Sequence, residues 1–191
     1  MEQLRMIHQM KNLPEFTIAD GYSIRMYRPG DEEIWTKICK FGLLTEEEGI
    51  ECWKKYMLDM DYLEAERDVF FVDDAQGNTV ATCAAFFLPN GEGLMHMLGC
   101  LPEARGHKLA TSMTAFSLHK LRKEKPDTDF QIRLRSDDWR VSAVRTYLLC
   151  GFQPVLFDVD MDKRWTAICD KLDIHSIEML TDEGQPTGVI L

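Results

Sequence analysis

Gly99-Cys100-Leu101-Pro102-Glu103-Ala104-Arg105-Gly106-His107-Lys108-Leu109-Ala110 is the stretch on which the fold assignment turns. Upstream, Leu94 to Leu101 is an apolar run that reads as a strand stopped by Pro102. Downstream, Leu109, Met113 and Phe116 mark one face of a long helix running to about Glu124, closed by Pro126 and Asp127. A strand thus enters a turn, and the turn opens a helix. The first amides of a helix lack internal partners and carry partial positive charge, which makes such a turn a ready site for a pyrophosphate. Gly106 lets the backbone approach closely, and Arg105, His107 and Lys108 add positive charge around it. A plain strand-to-helix turn with a surface basic cluster fits the same residues. A dinucleotide fingerprint does not: the G-x-G-x-x-G spacing is absent, and Gly91-Glu92-Gly93 precedes a strand.

Outward from this segment the elements fall in a clear order. Ser23 to Tyr27 reads as a short strand, and Asp31 is placed to cap a helix carrying Ile34, Trp35 and Ile38. Thr45-Glu46-Glu47-Glu48 has the capping-box pattern and starts a second helix through Ile50, Trp53, Tyr56 and Met57. Val69 to Val72 and Thr79 to Leu88 form a hairpin about a turn containing Gly77, with Leu94 to Leu101 next in the series. Phe130 to Leu134 alternates as a half-buried strand. Asp137 or Asp138 then caps a helix with the stripe Val141, Val144 and Leu148, ended by Gly151. Phe152 to Val159 is a last strand. Asp162 caps a final helix through Trp165, Ile168 and Leu172, and the tail from Asp173 is weakly patterned. Hairpins together with helical crossovers imply an α/β (α+β) fold with a mixed sheet of about six strands flanked by helices. Residues 1–20 read as a lead-in, 21–160 as the main domain, and 161–191 as a C-terminal helix and tail.

Composition narrows the function classes. The chain has 191 residues and a formal net charge of −10, which argues against nucleic acid, whose binding depends on Lys and Arg neutralising phosphates. No apolar run approaches the ~20 residues of a membrane span, and no signal-peptide core follows the first residues, so the expected address is cytoplasmic. The six cysteines form no C-x-x-C pair, and no Cys or His cluster has zinc spacing, so no metal is expected. Asp158, Asp160 and Asp162 alternate like the start of a calcium loop, but Lys163 stands where glycine is needed and Cys169 where glutamate is needed.

A second motif lies one helix later: Ala143, Tyr147, Gly151-Phe152 and Pro154. With it the chain resembles the GCN5-related N-acetyltransferases, the GNAT superfamily. Their signature, Arg or Gln, two residues, Gly, one residue, then Gly or Ala, is met at Arg105 and Ala110, while Lys108 stands where glycine is usual. An amide donates whatever its side chain, provided Lys108 has ordinary helix-start geometry. In the second motif Arg140 occupies a position where the family commonly has Asn. The resemblance implies acetyl-CoA as acyl donor. Its pantetheine arm would lie where the Leu94–Leu101 and Phe130–Arg135 strands splay, bonded to backbone near Leu98, Gly99 and Cys100. The amides from Arg105, Gly106, His107 and Lys108 to Leu109 and Ala110 would hold the pyrophosphate, with Arg140 nearby.

The implied activity is N-acetylation of a primary amine on a small molecule or peptide, by direct attack in a ternary complex of a monomer or homodimer. A catalytically silent acyl-CoA-binding module on the same fold is the alternative. The resemblance makes Tyr147 the general acid for the departing thiolate; from the residues alone, a core aromatic with a satisfied hydroxyl fits too. A backbone N–H around Cys100 would serve the oxyanion. Some members use a glutamate as base, but the matching residue is Leu94. His96, two residues along on the same strand face, is a candidate, as is Glu92. A hydrogen-bonded core histidine, with a water carrying the proton, remains open.

Overall fold

A computed structural model describes residues 2–60 and 62–190. Three strands, β2 (Ser23–Met26), β3 (Val69–Asp73) and β4 (Thr79–Phe87), form an antiparallel meander joined by β5 (Gly93–Cys100). The chain then crosses over through α4 (Leu109–Glu124) to β6 (Ile132–Ser136), which pairs parallel to β5. This is the mixed, mostly antiparallel sheet expected from the sequence, with one parallel crossover at its centre. Earlier in the chain lie α1 (Glu32–Cys39), α2 (Glu51–Trp53) and α3 (Ala65–Asp68); α2 runs directly into a π-helical turn, Lys54–Leu58. α5 (Val141–Leu149) follows β6, then β7 (Gln153–Pro154), α6 (Met161–Leu172) and a hairpin of β8 (Ile177–Leu180) and β9 (Pro186–Ile190). No helix among the described residues is long and apolar enough to cross a membrane.

The first strand is not where the sequence placed one. β1 (Leu4–His8), inside the expected lead-in, lies between β6 and β7 and pairs antiparallel with both, giving the order β2-β3-β4-β5-β6-β1-β7. Its register runs from Leu4 opposite Ser136 to His8 opposite Ile132. Leu4, Met6, Ile7 and His8 are all buried, so this central strand shows no alternation from which to read it. The sheet therefore has seven strands, and the weakly patterned tail adds a separate pair.

The expected strand from Phe152 to Val159 is cut to Gln153–Pro154. Val155 N–H still donates to the Arg5 carbonyl of β1 at 3.1 Å, but the next amide changes partner, Leu156 N–H donating to the Leu180 carbonyl of β8 at 2.8 Å. The capping-box segment also departs from expectation. Glu48 accepts from Thr45 N–H at 2.9 Å, but Gly49 follows and the helix starts only at Glu51.

Helices cover both faces. Cys83 and Phe70 face α4, with Cys83 Sγ 3.9 Å from Ser117 Oγ and the Phe70 ring 4.8 Å from that of Phe116. Thr82 and its partner Gly99 face the other way, and a Cβ on Gly99 would lie 3.1 Å from Ile38 of α1.

Candidate active site

The two central strands part company soon after they meet. β5 pairs with β6 only at Gly93 with Ile132 and Leu94 with Arg133. The meeting point is tight: a Cβ on Gly93 would lie 2.8 Å from Ile132 Cγ1 and 2.9 Å from Leu121 Cδ1. Further along, Thr82 pairs with Gly99 and Ala84 with His96, so Cys83 alone faces Met97 and Leu98. This is a β-bulge, and Met97 takes φ +53° within it. A bulge bends its strand and sharpens its twist, here on the strand that leaves β6. From Met95 to Cys100 the edge of β5 that faces β6 carries no strand pairing among the described residues. Such an edge can bond an extended chain as a further strand would.

At the wide end of this cleft, β5 runs through a 3-10 turn, Pro102–Ala104, into the segment that opens α4. Ala104 and Arg105 N–H donate to the Leu101 and Pro102 carbonyls, and the next amide with a protein partner is that of Ser112, which donates to Lys108 O at 3.0 Å. The amides of residues 106–111 thus have no backbone partner among the described residues. Gly106 sits at φ +86° with nothing within 4 Å of a built Cβ, so its role is conformational. Lys108 departs from expectation. It is not in helix-start geometry but in the left-handed region, φ 58° and ψ 20°. Glycine adopts this backbone freely, whereas Lys108 meets it under strain. The side chains of Arg105, His107 and Lys108 are exposed; Arg105 donates to the Phe41 carbonyl at 3.2 Å, and the His107 ring lies 5.2 Å from that of Tyr22.

α5 brings up the second set. Its end packs on the start of α4, with Cys150 Sγ 3.9 Å from Thr111 O. Tyr147 is only 7% exposed, and its hydroxyl has no hydrogen-bond partner among the described residues. Burial pushes its acidity constant up and the nearby Cys83 adds to this, while the Arg140 charge opposes it. The Cys83 thiol is itself raised to about 12 by burial. Arg140 is the N-cap residue of α5 and lies 3.2 Å from Asp137, with its guanidinium over the Trp139 ring at 4.7 Å. Neither expected cap is used: Asp137 pairs with Arg140, and Asp138 with Arg164 of α6.

The base candidates are placed apart from one another. His96 Nε2 lies 3.1 Å from the Tyr56 carbonyl of the π-helical turn. A carbonyl only accepts, so Nε2 carries the proton and Nδ1 the lone pair. Burial lowers the His96 pKa, which keeps the ring neutral. Glu92 is taken up by Arg133 at 2.7 Å and held below the usual carboxylate range by it. Cys100, at the end of the free edge, has its thiol pushed up to about 11 by burial. No group of three His, Cys, Asp or Glu among the described residues could hold a metal ion.

Trp139, Phe41 and Gly42 were not singled out from sequence. Trp139 begins the wall that leads into α5, and a Cβ on Gly42 would lie 3.9 Å from Trp139 Cη2. A tryptophan set between two aspartates and an arginine at a helix start was the available signal.

A divergent strand pair, opening onto free amides at a helix start, defines a domain built to hold an acyl donor. The chain belongs to the acetyltransferase (GNAT) family, whose profile matches residues 35–152. It is 27% identical over 169 residues to a mycothiol acetyltransferase of Thermomonospora curvata, covering 83% of this chain and 55% of that protein. It is likewise 27% identical over 168 residues to the Sanguibacter keddieii mycothiol acetyltransferase, covering 79% of this chain and 50% of that one. Among solved structures, a GCN5-related N-acetyltransferase from Sphaerobacter thermophilus superposes with a TM-score of 0.63 at 16% identity, covering 80% of this chain and 48% of that chain. A tandem GNAT protein from the clavulanic acid biosynthesis pathway gives 0.58 at 14% identity, covering 80% and 50%. This chain spans about half the length of the relatives it matches.

Proposed function

We propose that this chain transfers an acetyl group from acetyl-CoA to a primary amine of a small molecule or peptide, within a ternary complex. The observation that carries this reading is the divergence of β5 from β6 directly upstream of the free amides of residues 106–111. The residues fit the donor on the structure's own terms. The open edge of β5 around Leu98, Gly99 and Cys100 offers backbone groups to a diamide arm. The amides at the start of α4, with Arg105 and Lys108 beside them, offer donors and charge to a pyrophosphate.

The donor supplies an activated thioester carbonyl. Attack by the amine nitrogen forms the C–N bond and breaks the C–S bond. A backbone N–H near Cys100 is the donor for the oxyanion. Tyr147 hands its phenolic proton to the sulfur; burial ensures that the proton is present at neutral pH, and Arg140 moderates the loss of acidity that burial brings. His96 Nδ1, or water, takes the proton that the amine gives up. A silent acyl-CoA-binding module is the second reading. It is favoured by the commitment of Glu92 to Arg133 and by the aliphatic Leu94 at the position where some members carry a base.

Thermal denaturation with acetyl-CoA, followed by thiol detection against polyamines, amino acids, aminoglycosides and peptides, separates the readings. A ligand bound only by the folded state raises its stability. Stabilisation with thiol release supports transfer. Stabilisation without thiol release from any amine supports the silent module, and no stabilisation at saturating acetyl-CoA ends both.

A further inference from the structure

The sequence contains four tryptophans, and Trp35, Trp53 and Trp165 are buried in the core. Trp139 is 67% exposed. An indole is the largest apolar side chain, and leaving it in water forgoes the stabilisation that its burial would bring. Its exposure is also not that of a free rotor. One side of the ring is met by the Arg140 guanidinium at 4.7 Å, and its Cη2 edge lies beside Gly42, where an added Cβ would stand 3.9 Å from it.

The place of this contact matters more than the contact itself. Gly42 belongs to the turn after α1, and that turn packs on β5: a Cβ on Gly99 would lie 3.2 Å from Leu43 Cδ1. Phe41 and Gly42 are therefore attached to one wall of the cleft. Trp139 follows β6 and belongs to the other. β5 and β6 are parallel and diverge towards their C-terminal ends, so these residues stand at the wide end of the cleft. The indole spans the two walls there. Arg105 ties the same turn to the phosphate-binding segment by donating to Phe41 O at 3.2 Å.

We propose that Trp139 is a donor-binding residue: its indole, held between Arg140 and the Phe41–Gly42 turn, roofs the β5–β6 cleft and packs on the pantetheine arm of the acyl donor. This rests on the acyltransferase reading and adds a contact from the β6 side, where the arm would otherwise face water. The indole then gains the apolar burial it lacks in the free protein, and the arm is held between the free edge of β5 and a flat apolar surface.

The test uses the full chain and the position's own spectroscopy. Because the other tryptophans are buried, a change in the solvent-exposed part of the emission reports Trp139. Coenzyme A should shift that emission to the blue, whereas adenosine diphosphate, which carries the pyrophosphate without the arm, should not. Trp139→Phe should lose the shift. Trp139→Ala should raise KM for acetyl-CoA about tenfold with kcat within about twofold, and Trp139→Phe should recover most of that loss. Coenzyme A binding seen by calorimetry with no change in emission, or an unchanged KM in Trp139→Ala, overturns the assignment and leaves the acyltransferase reading standing. Failure of wild type to bind coenzyme A by calorimetry overturns the acyltransferase reading itself, and this contact with it.

Discussion

Lys108 offers a test of the backbone independent of the chemistry. Its left-handed conformation, φ 58° and ψ 20°, places Cβ against the neighbouring carbonyl, costing a non-glycine residue roughly 1–2 kcal/mol. Glycine removes that cost but brings a more flexible unfolded chain, which takes back about 0.4–1 kcal/mol. Lys108→Gly should therefore be more stable than Lys108→Ala by roughly 0.5–1 kcal/mol, or about 1–4 °C in Tm for a chain of this size. Alanine is the proper reference because it discards the charge and keeps the strain. The sign decides the matter. In ordinary helix-start geometry glycine is the worse residue, and Lys108→Gly would be less stable than Lys108→Ala by about 0.5–1 kcal/mol. Urea denaturation of the two variants measures this difference, and a less stable glycine variant would refute the strained-turn account. Both variants lose the same charge, so acetyl-CoA affinity should fall equally in the two.

Gly93→Ala should destabilise the protein by about 1–3 kcal/mol, since its Cβ would meet Ile132 at 2.8 Å and Leu121 at 2.9 Å where β5 and β6 join; an unchanged urea midpoint would contradict that packing. His8 supplies a pH dependence. It is 1% exposed, its Nδ1 accepts the Met10 N–H at 3.0 Å, and burial lowers its pKa from 6.5 to about 4. Above 6.5 the ring is neutral in both states and has no effect on the slope. Between 6.5 and about 4 the unfolded chain binds the proton first, so stability falls as pH falls, by up to roughly 3 kcal/mol. His8→Asn keeps an acceptor and does not titrate, so the drop in stability over this pH window should shrink; an identical profile would refute the assignment.

The sequence carried the central architecture because its signals there are local. The helix starting near Leu109 and the glycine closing α5, at φ +89°, are set by nearby residues, and both occur as read. What was missed is held by distant partners. β1 is buried on both faces, and no pattern in Leu4–His8 names β6 and β7 as its neighbours. The β8–β9 hairpin is docked by Asp182, whose carboxylate meets Arg5 at 2.8 Å and Arg133 at 3.0 Å, from strands far away in the chain. Asp138 is a good cap by type, yet Arg164 of α6 claims it from far along the chain; Asp137, by contrast, is lost to a local partner, Arg140 three residues on, and the helix start has no side-chain cap.

The candidate site follows the same rule. The proposed phosphate-binding turn and the proposed acid Tyr147 stand in short motifs. The bulge does not, since Met97 is neither glycine nor asparagine and gives no sign of its positive φ. The strain at Lys108 was hidden in the same way. The tautomer of His96 depends on Tyr56, which comes alongside only when the π-helical turn packs against β5.

The most direct test of the account is thiol release from acetyl-CoA by wild type and Tyr147→Phe, using an amine that wild type accepts. Removing one hydroxyl from a well-packed ring should leave the fold and the KM for acetyl-CoA unchanged and lower kcat by about a hundredfold. A Tyr147→Phe variant as fast as wild type would contradict the assignment of Tyr147 as the acid that completes the transfer.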